Sequence, residues 1–430
     1  MSLRLSLVGI LIAGIIIGLL FLNRQHTLEV FSAPSNSSLT LWQYQCIDTM
    51  KFSRDMARSP LTHEEWLSLI ETQLRLVAFL GANCVSLGTP YDEEFIPLLA
   101  LWVAGARKEH LRIWFRGNFS GWEGWFSYPR YKTVGPYYQQ LEHFIVAHSD
   151  LFEPGDILTP APEPEHGIIN NIWTSSVKRS AFQAFVIGSF QHCQAAMARV
   201  KKSVQCGYTS FNLDVAKAII NADVVKKTGG VIGVDHYVKS ATQFGYDIAL
   251  LYEMYQAPVV IGEFGAPIPD IHGALTDQEQ ATLVNDLLEQ LYIHKAQVSA
   301  VNYWVLAGGS TALLTERNEL KPAARVVKQY FIPGVATLHI ANTLGQPLAN
   351  VIVKTADGAY NSIPDAKGNI TLVFPGNKDT TLTVQAPGYE PVSWKMTVQS
   401  STNKQVIVEL DPQTLTPFYL IQKFLHLLFD

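Results

Sequence analysis

Charge is what this 430-residue sequence has little of: 16% of its residues are Asp, Glu, Lys or Arg, against roughly 25% in an average soluble chain. It carries a net charge of −5 and no basic run. It therefore lacks the positive face on which nucleic-acid binding rests, and no nucleic-acid partner is expected. Cysteine is also scarce. Cys46, Cys84, Cys193 and Cys206 are the only four, with no C-x-x-C and no Cys/His ligand spacing, so a zinc site has no support and no metal is expected. Two disulfides would be possible in an oxidising compartment. Because all four lie in apolar stretches, the reading preferred is that of buried free thiols. No glycine-rich phosphate turn follows the first apolar run, which argues against a doubly wound dinucleotide-binding sheet, and nothing in the chain calls for a cofactor. Internal repeats and low-complexity tracts are missing too, while 48% of residues are hydrophobic. A large core is affordable, and two or three domains are expected at this length.

One long hydrophobic run is present, at Leu5–Leu22, "LSLVGILIAGIIIGLLFL", flanked by Arg4 and Arg24. It is long enough to span a bilayer. It lacks the short core and small-x-small end of a cleaved signal, so residues 1–30 are read as an uncleaved membrane anchor. Arg4 on one side and Arg24 with His26 on the other give no vote on orientation; a catalytic part outside the cytoplasm is the expectation. The final stretch, "TPFYLIQKFLHLLFD", is apolar but too short to span. Residues 412–430 are expected to form a docked helical tail.

Between residues 36 and 332 short apolar runs alternate with longer amphipathic ones. "LTLWQY" precedes "THEEWLSLIETQLRLVAFLG", where Thr62 and Glu65 have capping-box spacing. Strand-like "NCVSLG", "LRIWFRG", "DILTPA", "SVQCGYTSF", "GVIGVDHYV", "PVVIGEFG" and "VSAVNYWVL" are each followed by a helical pattern. Eight such units with near-continuously apolar strands predict an α/β fold, a (β/α)8 TIM barrel.

After Pro333 the pattern changes to short alternating strands with frequent turn residues, which predicts a small all-β sandwich over residues 335–411. "GQPLANVIVKTADG", "DAKGNITL" and "APGYEPVSWKM" resemble the carboxypeptidase regulatory-like, or transthyretin-like, domain. That resemblance implies a spacer or adhesive module and assigns no functional residue.

In such a barrel the chemistry sits at the C-terminal ends of the strands. The fourth predicted strand ends in Pro162-Glu163-Pro164 and the seventh in Gly262-Glu263-Phe264-Gly265. Two carboxyls converging there suit glycoside cleavage, one protonating the leaving oxygen while the other attacks the anomeric carbon; a separation of about 5–5.5 Å gives retention. Glu165, next to the prolines, and Glu123, in an aromatic loop, are further acidic candidates. Glu165 is expected to point away from the mouth, toward His166 or the following loop.

These residues resemble the clan A retaining glycoside hydrolases, families 5 and 39 among them. "PEP" stands where the clan has N-E-P, and "VVIGEFG" matches its seventh-strand signature, so the resemblance implies Glu163 as acid/base and Glu263 as nucleophile. It further implies that His236 and Tyr237 position the nucleophile and that Trp304 forms a floor for the sugar. The clan's asparagine before the acid/base is Pro162 here. Asn118 and Asn212 are candidates to replace it by position, and Arg116 to stand in for the clan's arginine. Trp122 and Trp125, in "RGNFSGWEGWFSYPRY", are candidates to line a saccharide cleft by stacking. Asp48, Lys51, Arg54 and Asp55 gather near the rim without an assigned task. The expectation is a membrane-anchored retaining glycosidase acting on an oligo- or polysaccharide. The missing asparagine leaves open an inactive barrel that binds glycans in cell-envelope adhesion.

Overall fold

A computed structural model describes residues 30–33, 39–169, 171–348, 350–413 and 421. The Leu5–Leu22 run and nearly all of the apolar tail lie outside them. Among the described residues no helix is long and apolar enough to cross a membrane. The chain divides into two units, residues 40–333 and residues 1–39 with 334–430.

The first unit is built on parallel strands: β1 (Tyr44–Asp48), β2 (Cys84–Leu87), β3 (Arg112–Phe115), β4 (Ile157–Leu158), β5 (Gln205–Cys206), β6 (Ser210–Asn212), β7 (Ile232–Asp235), β8 (Val259–Phe264) and β9 (Val298–Tyr303). Their order is β5-β4-β3-β2-β1-β9-β8-β7-β6. The two ends of that order, β5 and β6, are separated in the chain only by residues 207–209, so together they fill one strand position of a TIM-like barrel. Helices follow each position. In the first long one, His63–Phe79, the capping box closes as expected: Thr62 Oγ1 accepts from Glu65 N at 3.3 Å and Glu65 Oε2 from Thr62 N at 2.7 Å. Its buried stripe, Trp66, Ile70, Leu74 and Val77, has helical spacing.

The first strand is displaced from its expected place. "LTLWQY" is mostly turn, because the amides of Leu41 and Trp42 are taken by Gln45 Oε1 at 3.0 and 3.5 Å rather than by a neighbouring strand. The ladder therefore begins at Tyr44 and carries Asp48 to its end.

Side chains alternate across a strand, so residues two apart share the inner face. Tyr44, Cys46, Cys84, Trp114, Ile157, Val260 and Ala300 form one buried apolar cluster. Two residues onward along the same strands come Asp48, Ser86, Arg116, Gly262 and Asn302, which the hydrogen bonds described below join into a polar set.

The reading of four free thiols is corrected. Cys46 bonds Cys84, and Cys193 bonds Cys206, with Cα–Cα distances of 4.4 and 6.0 Å. Cys46 and Cys84 are register partners of adjacent parallel strands, a proximity that apolar context alone does not reveal. The second bridge ties the helix Ser176–Arg199 to β5.

The second unit holds two four-stranded sheets. One runs Val30–Ala33, Asn403–Leu410, Gly334–Asn342, Asn369–Phe374; the other runs Asn361–Ser362, Ile352–Thr355, Lys378–Gln385, Val392–Val398. Alternation along these strands buries Leu338, Ile340, Val353, Leu372, Leu382, Val384 and Val408.

Candidate active site

Glu263 lies on β8, 8% exposed. Its Oε1 accepts from Arg116 Nη1 at 3.0 Å and its Oε2 from the Tyr237 hydroxyl at 3.0 Å. Charge-assisted bonds from both sides fix the carboxylate in one orientation. Arg116, just past β3, is 1% exposed. It also donates to the Gly262 carbonyl at 2.9 Å and to Ser210 Oγ at 3.3 Å, and lies 3.5 Å from Asp48 and 3.4 Å from Asp235. Asp48 accepts further from Met50 N and Asn302 Nδ2, and Asn302 accepts from Ser86 Oγ at 3.0 Å.

One guanidinium thus serves three buried carboxyls. Burial, which disfavours their charge, pushes Asp48 up to about 6 and Asp235 up to about 8; Glu263 adds repulsion in both, while Arg116 pulls both down.

Glu163 sits half-buried between its prolines with φ +42° and ψ +59°, a left-handed conformation rare for a residue with a side chain. Such strain persists only where surrounding structure enforces it and collects at functional sites. Burial holds its carboxyl well above the usual range, followed by the charges of Glu263 and Asp235, with Glu123 adding to the same effect. Glu165 behaves differently. Its Oε1 accepts the backbone amide of Asn212 at 2.8 Å, which ties the loop after β4 to the end of β6 rather than to His166.

The other sequence candidates divide. Tyr237 bonds the nucleophile candidate, and the half-buried Trp304 packs edge-on to it at 6.4 Å with Lys51 over its ring at 5.7 Å. Trp125 is half-buried beneath the guanidinium of Arg54, 4.6 Å from its ring centre. His236 reaches Glu263 through its backbone amide, which donates to the Glu263 carbonyl at 2.8 Å. Its ring stacks on Phe244 and lies 3.2 Å from Asp247, both on the helix Ala241–Tyr255, so the positioning role expected of its side chain falls to Tyr237. Trp122 is 1% exposed, stacked on Phe185 and pressed against Gly167, where a Cβ would lie 1.9 Å from the indole. It supports the loop bearing Glu163 and has no face free for a sugar. Asn118 is buried with its Oδ1 on the Phe119 amide. Asn212 is exposed and acts through its backbone.

Asp235, Ser210 and Asn302 were missed. The first had a signal: "VIGVD" is an apolar run ending in a carboxylate, the same pattern that singled out Glu263. A cavity of about 560 Å³ opens beside the site, lined by Asn212, Asp214, Lys217, Asp235, Tyr237 and Ile271 among others, a size suited to a small organic ligand. Among the described residues no cluster of His, Cys, Asp and Glu could hold a metal ion.

No family model matches the chain, and no curated protein is similar to it. Among solved structures it is similar to a family 5 xyloglucanase from Paenibacillus pabuli (11% identity, 68% of this chain and 99% of that one, TM-score 0.48). A beta-glucuronidase from Bacteroides uniformis matches at 11% identity over 89% of this chain and 48% of that one, TM-score 0.48. A broad-specificity endoglucanase from Clostridium longisporum matches at 12% identity over 69% and 92%, TM-score 0.44. At such scores the chemistry has to be argued from the site itself.

Proposed function

We propose that this protein is a retaining glycoside hydrolase of oligo- or polysaccharides that uses no cofactor. One observation carries the reading: two glutamates of one site have opposite surroundings. Glu263 is held by a guanidinium and a phenol that both donate to it. Glu163 is half-buried, and desolvation first and then the charge of that same carboxylate raise its affinity for a proton. An attacking carboxylate beside a protonated acid is what glycoside cleavage by double displacement requires.

In the first step a Glu263 oxygen bonds the anomeric carbon as the carbon–oxygen bond to the leaving group breaks, and the Glu163 proton passes to the departing oxygen. In the second, Glu163, now a carboxylate, takes a proton from water, whose oxygen attacks the anomeric carbon and releases Glu263. Trp304 and Trp125 supply apolar ring faces for the sugar. The proposal extends to anchoring by the N-terminal segment with the barrel outside the cytoplasm. Two disulfides support that placement, since they persist in oxidising compartments.

The test compares Glu163→Gln and Glu263→Gln on polysaccharides and on activated aryl glycosides. Glu163→Gln should lose roughly 10²–10⁴-fold on poor leaving groups and spare the activated ones; Glu263→Gln should lose both. The first sugar released should keep its anomeric configuration by NMR. Binding of a glycan without cleavage by the unaltered chain would instead favour a glycan-binding envelope protein.

A further inference from the structure

The guanidinium of Arg116 has two ends, and different carboxyls wait at each. Nη1 serves Glu263 at 3.0 Å and the Gly262 carbonyl at 2.9 Å, with Asp48 at 3.5 Å. Nη2 faces Ser210 Oγ at 3.3 Å and Asp235 Oδ1 at 3.4 Å. Asp235 Oδ2 accepts the Ser210 hydroxyl at 2.7 Å. Gly262 makes this approach possible: a Cβ there would lie 2.5 Å from Asp235 Oδ1 and 2.5 Å from Ser210 Cβ. The glycine beside Glu263 thus lets a second carboxyl reach the same cation.

We propose that Asp235 is a positioning residue of the nucleophile: protonated, it leaves the guanidinium to Glu263, and ionised, it draws the Nη2 end toward itself and turns glycosylation down. This rests on Glu263 being the nucleophile. The charged and titratable groups facing Asp235 are Arg116 from the end of β3, Glu263 from β8, Glu163 and Glu165 from the loop after β4, and Tyr237 from its own loop. Asp214 and Lys217 line the same cavity, and Lys217 lies 3.4 Å from Asp247. Burial and then the Glu263 charge place the ionisation of Asp235 at about 8, with Arg116 and Ser210 opposing the shift.

The experiment measures kcat/KM against pH for the full chain on an activated aryl glycoside, whose departure needs little help from the Glu163 proton. The unaltered protein should lose activity above pH about 8. Asp235→Asn keeps the shape without ionising and should lose that alkaline limb, whatever its plateau. Ser210→Ala removes a donor that favours the ionised form, so its limb should move to higher pH. A limb unchanged in Asp235→Asn, or one that stays or moves down in Ser210→Ala, overturns the proposal. Thermal unfolding tests it without catalysis. The native chain keeps the Asp235 proton up to pH about 8, whereas the unfolded chain releases it near about 3.9. The native state binds more protons between those values, so stability falls as pH rises. Asp235→Asn removes that share, and its Tm should therefore gain on the unaltered protein from pH about 5 to about 8. An equal Tm dependence in both overturns the proposal, while absence of any glycoside cleavage by the unaltered chain defeats the glycosidase reading itself.

Discussion

Two sets of residues line the inside of one barrel, two positions apart on the same strands, and their physics is opposite. The deeper set, Tyr44, Cys46, Cys84, Trp114, Ile157, Val260 and Ala300, is apolar and cross-linked by Cys46–Cys84. The rim set, Asp48, Ser86, Arg116, Gly262 and Asn302, joined by Ser210 and Asp235, is polar and ionic though equally buried. Burying apolar surface stabilises; burying several carboxyls around one cation costs desolvation that the pairing repays only in part. Arg116 lies over the Trp114 ring, 5.4 Å from its centre, where the two sets meet. The lesson is that the strands carry stability and chemistry on one face at different depths. Burial raises the proton affinity of Asp48 and Asp235 in the rim set, and of Glu163 and Glu165 in the loop beside it.

The comparison can be broken at its cation. Arg116→Met leaves Asp48, Asp235 and Glu263 uncompensated, and the stability lost should be about 3–5 kcal/mol, as when one partner of a buried pair is removed, together with hydrolysis. Urea unfolding at neutral pH checks this; an unchanged midpoint would mean that charge pairing does not hold the rim together. The deeper set should answer differently. Cys46→Ala with Cys84→Ala should lose about 2–4 kcal/mol while leaving the pH profile of activity in place at moderate temperature. A shifted profile would show that the two depths are coupled. The smallest effect is expected at Glu165→Gln, because the amide oxygen can still accept the Asn212 N–H. Its kcat on natural glycosides should stay within about twofold, the range of a substitution that keeps its hydrogen bond. A dead Glu165→Gln beside a normal Glu163→Gln would move the acid/base two residues along.

Much of this was legible in one dimension. The alternation of apolar strands and amphipathic helices follows from local periodicity, and it led to parallel strands and a separate β unit. Glu263 stood out because a carboxylate after "PVVI" has no cheap place in an apolar strand; Tyr237 was implied only by the resemblance to the clan A glycosidases. The register of the first strand did not, since Gln45 satisfies the amides of Leu41 and Trp42 through its side chain. That slip left Asp48 among loop residues without a task. His236 and Trp122 were legible as residue types but not as directions. One turns to the helix behind it and the other under the Glu163 loop.

The sequence by itself determined most of the strands and helices and that Glu263 lies on one strand, while Glu163 falls in the loop after another, because propensity, period and proline restraint act between near neighbours in the chain. Only the tertiary structure decided that Cys46 meets Cys84, that Arg116 stands between Asp48, Asp235 and Glu263, and that Glu165 binds the Asn212 amide. Each of these depends on which strand lies beside which and at what stagger. Desolvation and charge pairing, which set the state of every carboxyl at the rim, exist only once those neighbours are in place.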